Sequence, residues 1–209
     1  MNKCIAGLYA VTPEQHDTAR LLAQARACLV GGARALQYRN KNGSPVLRLE
    51  QAHALRALCT EYRATFIVND DLDLALAVDA DGLHLGRDDG LPRAARTRLG
   101  AHKILGISCY GELQRAQAAV ADGADHVAFG SFFPSSVKPG AVRPPIDLLK
   151  TAGQTLSVPI VAIGGITLDN ASQLIAAGAD SVAVISALFG APDIEQTARH
   201  FQALFGQAQ

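Results

Sequence analysis

The feature that most constrains this chain is a rhythm. Short apolar runs alternate with longer stretches whose apolar residues recur at helical intervals. The runs are Ile5 to Thr12, Ala33 to Arg39, Thr65 to Asn69, Gly82 to Leu85, Ile104 to Ser108, His126 to Phe129, Ile160 to Ile163 and Ser181 to Ile185. They are apolar on both sides, as parallel strands covered on both faces are. Between the first two, Leu21, Leu22, Ala25 and Leu29 mark a helix that stops at Gly31-Gly32. Ser44-Pro45 opens the next helix with a cap and a proline at its first position. Helices are also expected from Leu72 to Val78, from Leu91 to Leu99, up to Asp122, from Pro145 to Ala152, from Thr167 to Ala177 and finally to near Phe205. Eight such units on 209 residues favour a single-domain (β/α)8 TIM barrel over an open doubly wound sheet. Gly-Ala recurs before strands, at Gly32-Ala33, Gly123-Ala124-Asp125 and Gly178-Ala179-Asp180, which supports repeated units and says nothing about chemistry.

Charge narrows the partners. Lysine plus arginine balance aspartate plus glutamate at 19 each, so no basic surface for nucleic acid is implied. Cys4, Cys28, Cys59 and Cys109 show neither a C-x-x-C pair nor zinc spacing and read as reduced thiols of a cytoplasmic protein, with Cys109 a small apolar filler. No apolar run has the length of a membrane span, and the N-terminus lacks a secretory signal. Oligomeric state is left open.

In such a barrel the chemistry lies at the C-terminal ends of the strands. Gln37, Arg39 and Lys41 follow the second run, Asn69 and Asp70 the third, Asp89 the fourth and Ser108 the fifth. Ser135, Ser136 and Lys138 follow the sixth, Gly164 and Gly165 the seventh, Ser186 the eighth. Gln37 and Arg39 share one side of their strand, because side chains alternate. If that side is the barrel interior, a guanidinium sits where core residues belong, and an anionic partner is expected. Read alone, the stretch is also compatible with an edge strand whose tip is solvated.

Asp70 and Asp89 end neighbouring strands without histidine or cysteine partners. Two carboxylates suit a hard cation such as Mg2+. Helix capping is the competing role, and Asp71 and Asp88 are better placed for it. With Arg39, Lys41 and Lys138 nearby, the set favours a magnesium-diphosphate ligand. Gly164-Gly165, with Ser186 where the last helix begins, marks a second anion site, or else a tight turn with a serine cap. Two anion sites on one rim suit the joining of two phosphorylated molecules with loss of diphosphate. His84 and His126 read as structural, and the remaining histidines as surface residues.

These stretches together resemble the thiamine-phosphate synthase family over nearly the whole chain. The resemblance rests on Gln37-Tyr-Arg-Asn-Lys41, Val68-Asn-Asp-Asp71, Gly82-Leu-His-Leu-Gly-Arg-Asp-Asp89, Gly106-Ile-Ser108, Gly130-Ser-Phe-Phe-Pro-Ser-Ser-Val-Lys138, Ile163-Gly-Gly-Ile166 and Val184-Ile-Ser-Ala187. It implies a (β/α)8 barrel that couples 4-amino-2-methyl-5-hydroxymethylpyrimidine diphosphate to 4-methyl-5-(2-phosphoethyl)thiazole, giving thiamine phosphate and diphosphate. It implies Mg2+ on Asp70 and Asp89, diphosphate on Arg39, Lys41, Asn69 and Lys138, and the pyrimidine near Gln37 and Ser108. Ser135, Gly165, Ile185 and Ser186 would hold the thiazole phosphate, and Arg39, Lys138 and Ser108 would carry the catalytic work. The chain departs from the family at Val137 and Ser135, where threonines are usual, and at Asn40, where glutamate is common. A thiazole tautomerase-like barrel, a non-catalytic precursor-binding barrel and an unrelated isomerase or aldolase barrel are the alternatives. The complete set Asp70, Asp89, Arg39 and Lys138 argues against the first two, and the loop placement of Lys41 and Lys138 against the third.

Overall fold

A computed structural model describes residues 5–134, 140 and 143–206. Eight parallel strands close in sequence order: β1 (Gly7–Val11), β2 (Ala35–Tyr38), β3 (Thr65–Asn69), β4 (Gly82–Leu85), β5 (Ile104–Tyr110), β6 (His126–Phe129), β7 (Ile160–Ile163) and β8 (Ser181–Val184), with β8 pairing back onto β1. The helices are α1 (Thr18–Val30), α2 (Pro45–Glu61), α3 (Leu72–Ala77), α4 (Pro92–Leu99), α5 (Leu113–Ala121), α6 (Asp147–Thr155), α7 (Leu168–Ala176), α8 (Ser186–Phe189) and α9 (Ile194–Ala203). The expected TIM barrel is therefore the observed one.

Strand alternation divides the core in two. The larger layer lies between strands and helices and contains Leu36, Phe66, Val68, Leu83 and Leu105 with Leu21, Leu55 and Phe201. Cys109 is fully buried in it, the filler role expected from the sequence. A smaller cluster inside the barrel consists of Ile5, Tyr9, Val11, Ala35, Ile67, Ile104, Ala128, Val161 and Ala183. The same inward face carries Gln37 and His84, both buried.

The Gly-Ala-Asp repeat, together with the related Asp79-Ala80-Asp81 before β4, has a structural task at the N-terminal end. The Asp81 carboxylate accepts the Phe66 N–H at 2.9 Å, that of Asp125 accepts the Leu105 N–H at 2.8 Å, and that of Asp180 accepts the Ile160 N–H at 2.7 Å. Each aspartate precedes one strand and ties down the start of its neighbour. A backbone donor at a strand end is thereby satisfied by a charged acceptor.

Three boundaries differ from expectation. β5 runs on to Tyr110, with an irregular register between Ser108 and Tyr110, where Arg115 Nε donates to the Ser108 carbonyl at 2.9 Å. The helix after β6 runs Asp147–Thr155, later than expected. The last helix is two helices: Gly190 ends α8, and Asp193 caps α9 by accepting the Gln196 N–H at 2.9 Å. Asn40, the departure from the family's glutamate, pins the fold. Its Nδ2 donates to the Gln15 carbonyl and to Gln51 Oε1, each at 3.1 Å, and its Oδ1 accepts the Gly43 N–H at 3.0 Å.

Candidate active site

The C-terminal mouth of the barrel encloses a cavity of about 1070 Å³. Gln37, Arg39, Asn69 and Ser108 line one side of it, and Gly164, Gly165, Ile185 and Ser186 the other. Strand alternation dictates this grouping. Val11 pairs with Gln37, Gln37 with Ile67 and Asn69 with His84, so polar residues at successive strand tips project to the same interior.

On the β2 side, Gln37 Nε2 donates to the Tyr9 hydroxyl at 2.8 Å. Tyr9 is fully buried, and desolvation raises its pKa far above the usual phenol value. Arg39 is anchored by its backbone N–H, which donates to Thr12 Oγ1 at 2.9 Å, while its guanidinium meets Glu14 Oε1 at 3.2 Å. The chain supplies an anionic partner for Arg39 where only a ligand was expected. A smaller adjoining cavity of about 230 Å³ is lined by Lys41, Asn69 and Asp70 together with Arg48.

The two carboxylates are together. Asp70 sits in the left-handed region at φ +64°, its N–H donating to the His84 carbonyl at 2.8 Å and its Oδ2 2.7 Å from Lys41 Nζ. Asp89 Oδ2 accepts the Gly86 N–H at 2.8 Å. Partial burial raises the Asp89 carboxyl above its ordinary value, and the neighbouring Asp70 carboxyl raises it further. The Gly86 N–H and Lys41 pull the other way. Two oxygen ligands crowded against each other are a donor set that a divalent cation relieves. Among the described residues no group of three or more His, Cys, Asp or Glu side chains is arranged to hold a metal. Mg2+ is commonly held by one or two carboxylates plus substrate phosphates and water, so Asp70 and Asp89 fit such an ion. The capping expectation divides: Asp71 caps α3 by accepting the Leu74 N–H at 2.9 Å, whereas the N-cap position of α4 is Leu91, with no side-chain cap, and Asp88 lines the cavity.

His84 was not expected here. Its Nε2 lies 2.9 Å from Ser108 Oγ, and its other ring nitrogen, Nδ1, lies 3.4 Å from Nε2 of the fully buried His126. The period of β4 puts His84 on the same face as Gly82, but only closure of the barrel brings it against Ser108. Arg87 and Tyr110 were also missed. The Arg87 guanidinium stacks 4.7 Å from the centre of the Tyr110 ring and pairs with Glu112 at the rim.

Across the mouth, Gly164 and Gly165 have φ +102° and +65°. Their freedom serves packing as well as any ligand. A Cβ at Gly164 would lie 2.0 Å from Ser131 Oγ, and one at Gly165 would lie 2.3 Å from the Pro134 carbonyl oxygen. Only glycine lets this loop rest on the segment after β6. Ser186 begins the separate four-residue α8, not the last helix as expected, because Gly190 breaks the run. Ser135, Val137 and Lys138 lie outside the described residues.

The family model described as thiamine monophosphate synthase matches residues 8–188. A thiamine-phosphate synthase of Azoarcus sp. (strain BH72) is 55% identical over 205 residues, covering 98% of this chain and 100% of its own. The thiamine-phosphate synthase of Methylobacillus flagellatus is 56% identical over 201 residues, covering 96% of each chain. Among solved structures, the thiamine phosphate pyrophosphorylase of Pyrococcus furiosus superimposes with a TM-score of 0.86 at 36% identity, over 99% of this chain and 98% of that one. A closed barrel whose acidic pair and basic side chains share one mouth, matched along its length by these proteins, belongs to the thiamine monophosphate synthase family.

Proposed function

We propose that the two rims of the mouth divide the labour of one transfer reaction. The activity is that of thiamine-phosphate synthase, a transferase joining a pyrimidine diphosphate to a thiazole phosphate with release of diphosphate. Arg39, Lys41, Asn69 and Lys138 take the diphosphate. Gln37 and Ser108 face the pyrimidine, and Ser135, Gly165, Ile185 and Ser186 take the thiazole phosphate. Asp70 and Asp89 would hold Mg2+, which when bound offsets negative charge on the diphosphate.

The chain's own residues do the rest by placement and charge. The diphosphate leaves first, and the ring's amino group stabilises the pyrimidinylmethyl cation that remains. Arg39 and Lys41 stabilise the charge accumulating on the leaving group. The cavity holds the thiazole nitrogen in line with the reactive carbon, which replaces a bimolecular encounter by an oriented one. No strong base is required. Arg39 must exchange Glu14 for a phosphate oxygen, and a guanidinium binds phosphate bidentately and more strongly than a half-exposed carboxylate.

The observation that carries this reading is the Asp70–Asp89 pair with Lys41 2.7 Å from Asp70, beside a small cavity that shares Asn69 with the large one, which Arg39, Gly165 and Ser186 line. The purified protein, given both precursors, is expected to form thiamine phosphate and diphosphate in equal amounts. Omitting the thiazole phosphate is expected to stop both. Steady diphosphate release from the pyrimidine alone would make the protein a hydrolase and overturn the assignment. The reading includes two small phosphorylated substrates, no nucleic acid partner and a cytoplasmic location. Supporting that location, Cys28, Cys59 and Cys109 are unpaired and buried, and burial pushes each thiol up to about 12. No helix among the described residues is long and apolar enough to cross a membrane.

A further inference from the structure

Behind Ser108 lie two histidines that the reaction as described does not use. His126 is fully buried, and its Nδ1 has no hydrogen-bond partner among the described residues. Its Nε2 faces His84 Nδ1 at 3.4 Å, and His84 Nε2 faces Ser108 Oγ at 2.9 Å. The His84 and His126 rings are 5.5 Å apart and tilted by 30°. Gly106 makes the pairing possible: a Cβ there would lie 2.2 Å from His126 Nε2 and 2.6 Å from His84 Nδ1.

We propose that His126 is a positioning residue, which through His84 turns the Ser108 hydroxyl into a hydrogen-bond donor aimed at the cavity. The proposal rests on the reading above that Ser108 faces the pyrimidine. Burial, and secondarily His84, keep the His126 pKa well below its ordinary value, so the ring is neutral and has one N–H. A proton on Nδ1 would leave a buried donor with no acceptor, which costs the full desolvation of an N–H. A bare lone pair there is less costly, and orphaned buried donors are the rarer case. The proton therefore sits on Nε2 and is donated to His84 Nδ1. His84 Nδ1 is then an acceptor, so the His84 proton is on Nε2, where it is donated to Ser108 Oγ. With that oxygen accepting from His84, the hydroxyl hydrogen is released toward the cavity. A donor there recognises an acceptor such as a pyrimidine ring nitrogen.

The first test is the tautomeric state of both histidines, read from imidazole nitrogen shifts in the labelled wild-type protein. Both rings are expected as Nε2–H. A proton on Nδ1 of either ring overturns the proposal, whether or not the protein makes thiamine phosphate. The second test is His126→Phe, which keeps an aromatic ring and deletes the donor. KM for the pyrimidine diphosphate is expected to rise about threefold to tenfold, the worth of one oriented hydrogen bond, with KM for the thiazole phosphate unchanged. His126→Gln, whose amide nitrogen reaches a similar position, is expected to restore the wild-type KM. Wild-type KM in the phenylalanine variant, or equal losses for both substrates, would overturn the proposal. A wild-type protein that forms no product would instead count against the proposed function, and the tautomers would still decide this inference.

Discussion

The two ends of this barrel use the same side chain for opposite purposes. At the N-terminal end Asp81, Asp125 and Asp180 each accept a backbone N–H at a strand start. Asp81 and Asp125 are also close to Arg56 and Arg96. At the C-terminal end Asp70 and Asp89 lie against each other, and Lys41 is the cation beside Asp70. One end has its charges answered by the chain. The other concentrates carboxylates that a bound cation would answer, beside basic side chains that a diphosphate would answer. The role of an aspartate here is set by its partner, and the partner is set by which end of a strand it occupies.

Variants at the two ends should separate activity from stability. Asp89→Ala is expected to lower turnover by roughly 100-fold or more, the scale for losing a group that stabilises developing charge. Its thermal midpoint should match or exceed the parent's, because a crowded carboxylate is removed. Near-parental turnover would show that the acidic pair is not part of the chemistry. Asp81→Ala should do the reverse. It leaves the buried Phe66 N–H without its acceptor and is expected to cost about 1.5–3 kcal/mol in denaturant unfolding, with turnover by the folded fraction unchanged. Asp180→Ala removes a more exposed version of the same bond and should cost about 1 kcal/mol by the same measurement.

A separate effect concerns pH. The folded-state pKa of His126 is depressed below its ordinary value of 6.5. The unfolded chain therefore binds the extra proton first as pH falls. Stability from this group is complete above about pH 6.5 and declines below it, until the folded-state value is reached, by up to about 1.4 kcal/mol per pH unit. Unfolding free energies between about pH 7 and pH 5 should show this slope, and His126→Phe should flatten it.

The rhythm of apolar runs made the barrel legible, because strand and helix periods differ and short runs alternated with long ones. Strand ends then located the mouth, and Gln37, Asn69, Ser108, Gly165 and Ser186 do line it. What escaped depends on closure. Nothing local distinguishes His84 from a core histidine until β4 and β5 bring it beside Ser108. The pairing of Glu14 with Arg39 joins the loop after β1 to the end of β2, 25 residues apart in sequence. The break at Gly190 was hidden because residues on both sides of it suit a helix. The aspartates of the Gly-Ala-Asp repeat were visible as a pattern, yet their acceptor role needs the neighbouring strand in register.

The claim that Asp70 and Asp89 hold the cation accompanying a departing diphosphate is tested most directly by one titration. The rate of thiamine phosphate formation is measured on chelator-treated protein as Mg2+ is returned, at saturating concentrations of both precursors. The account predicts no product without the ion, saturable recovery with it, and no comparable recovery in Asp89→Ala. Full-rate product formation by the chelated parent protein would contradict it.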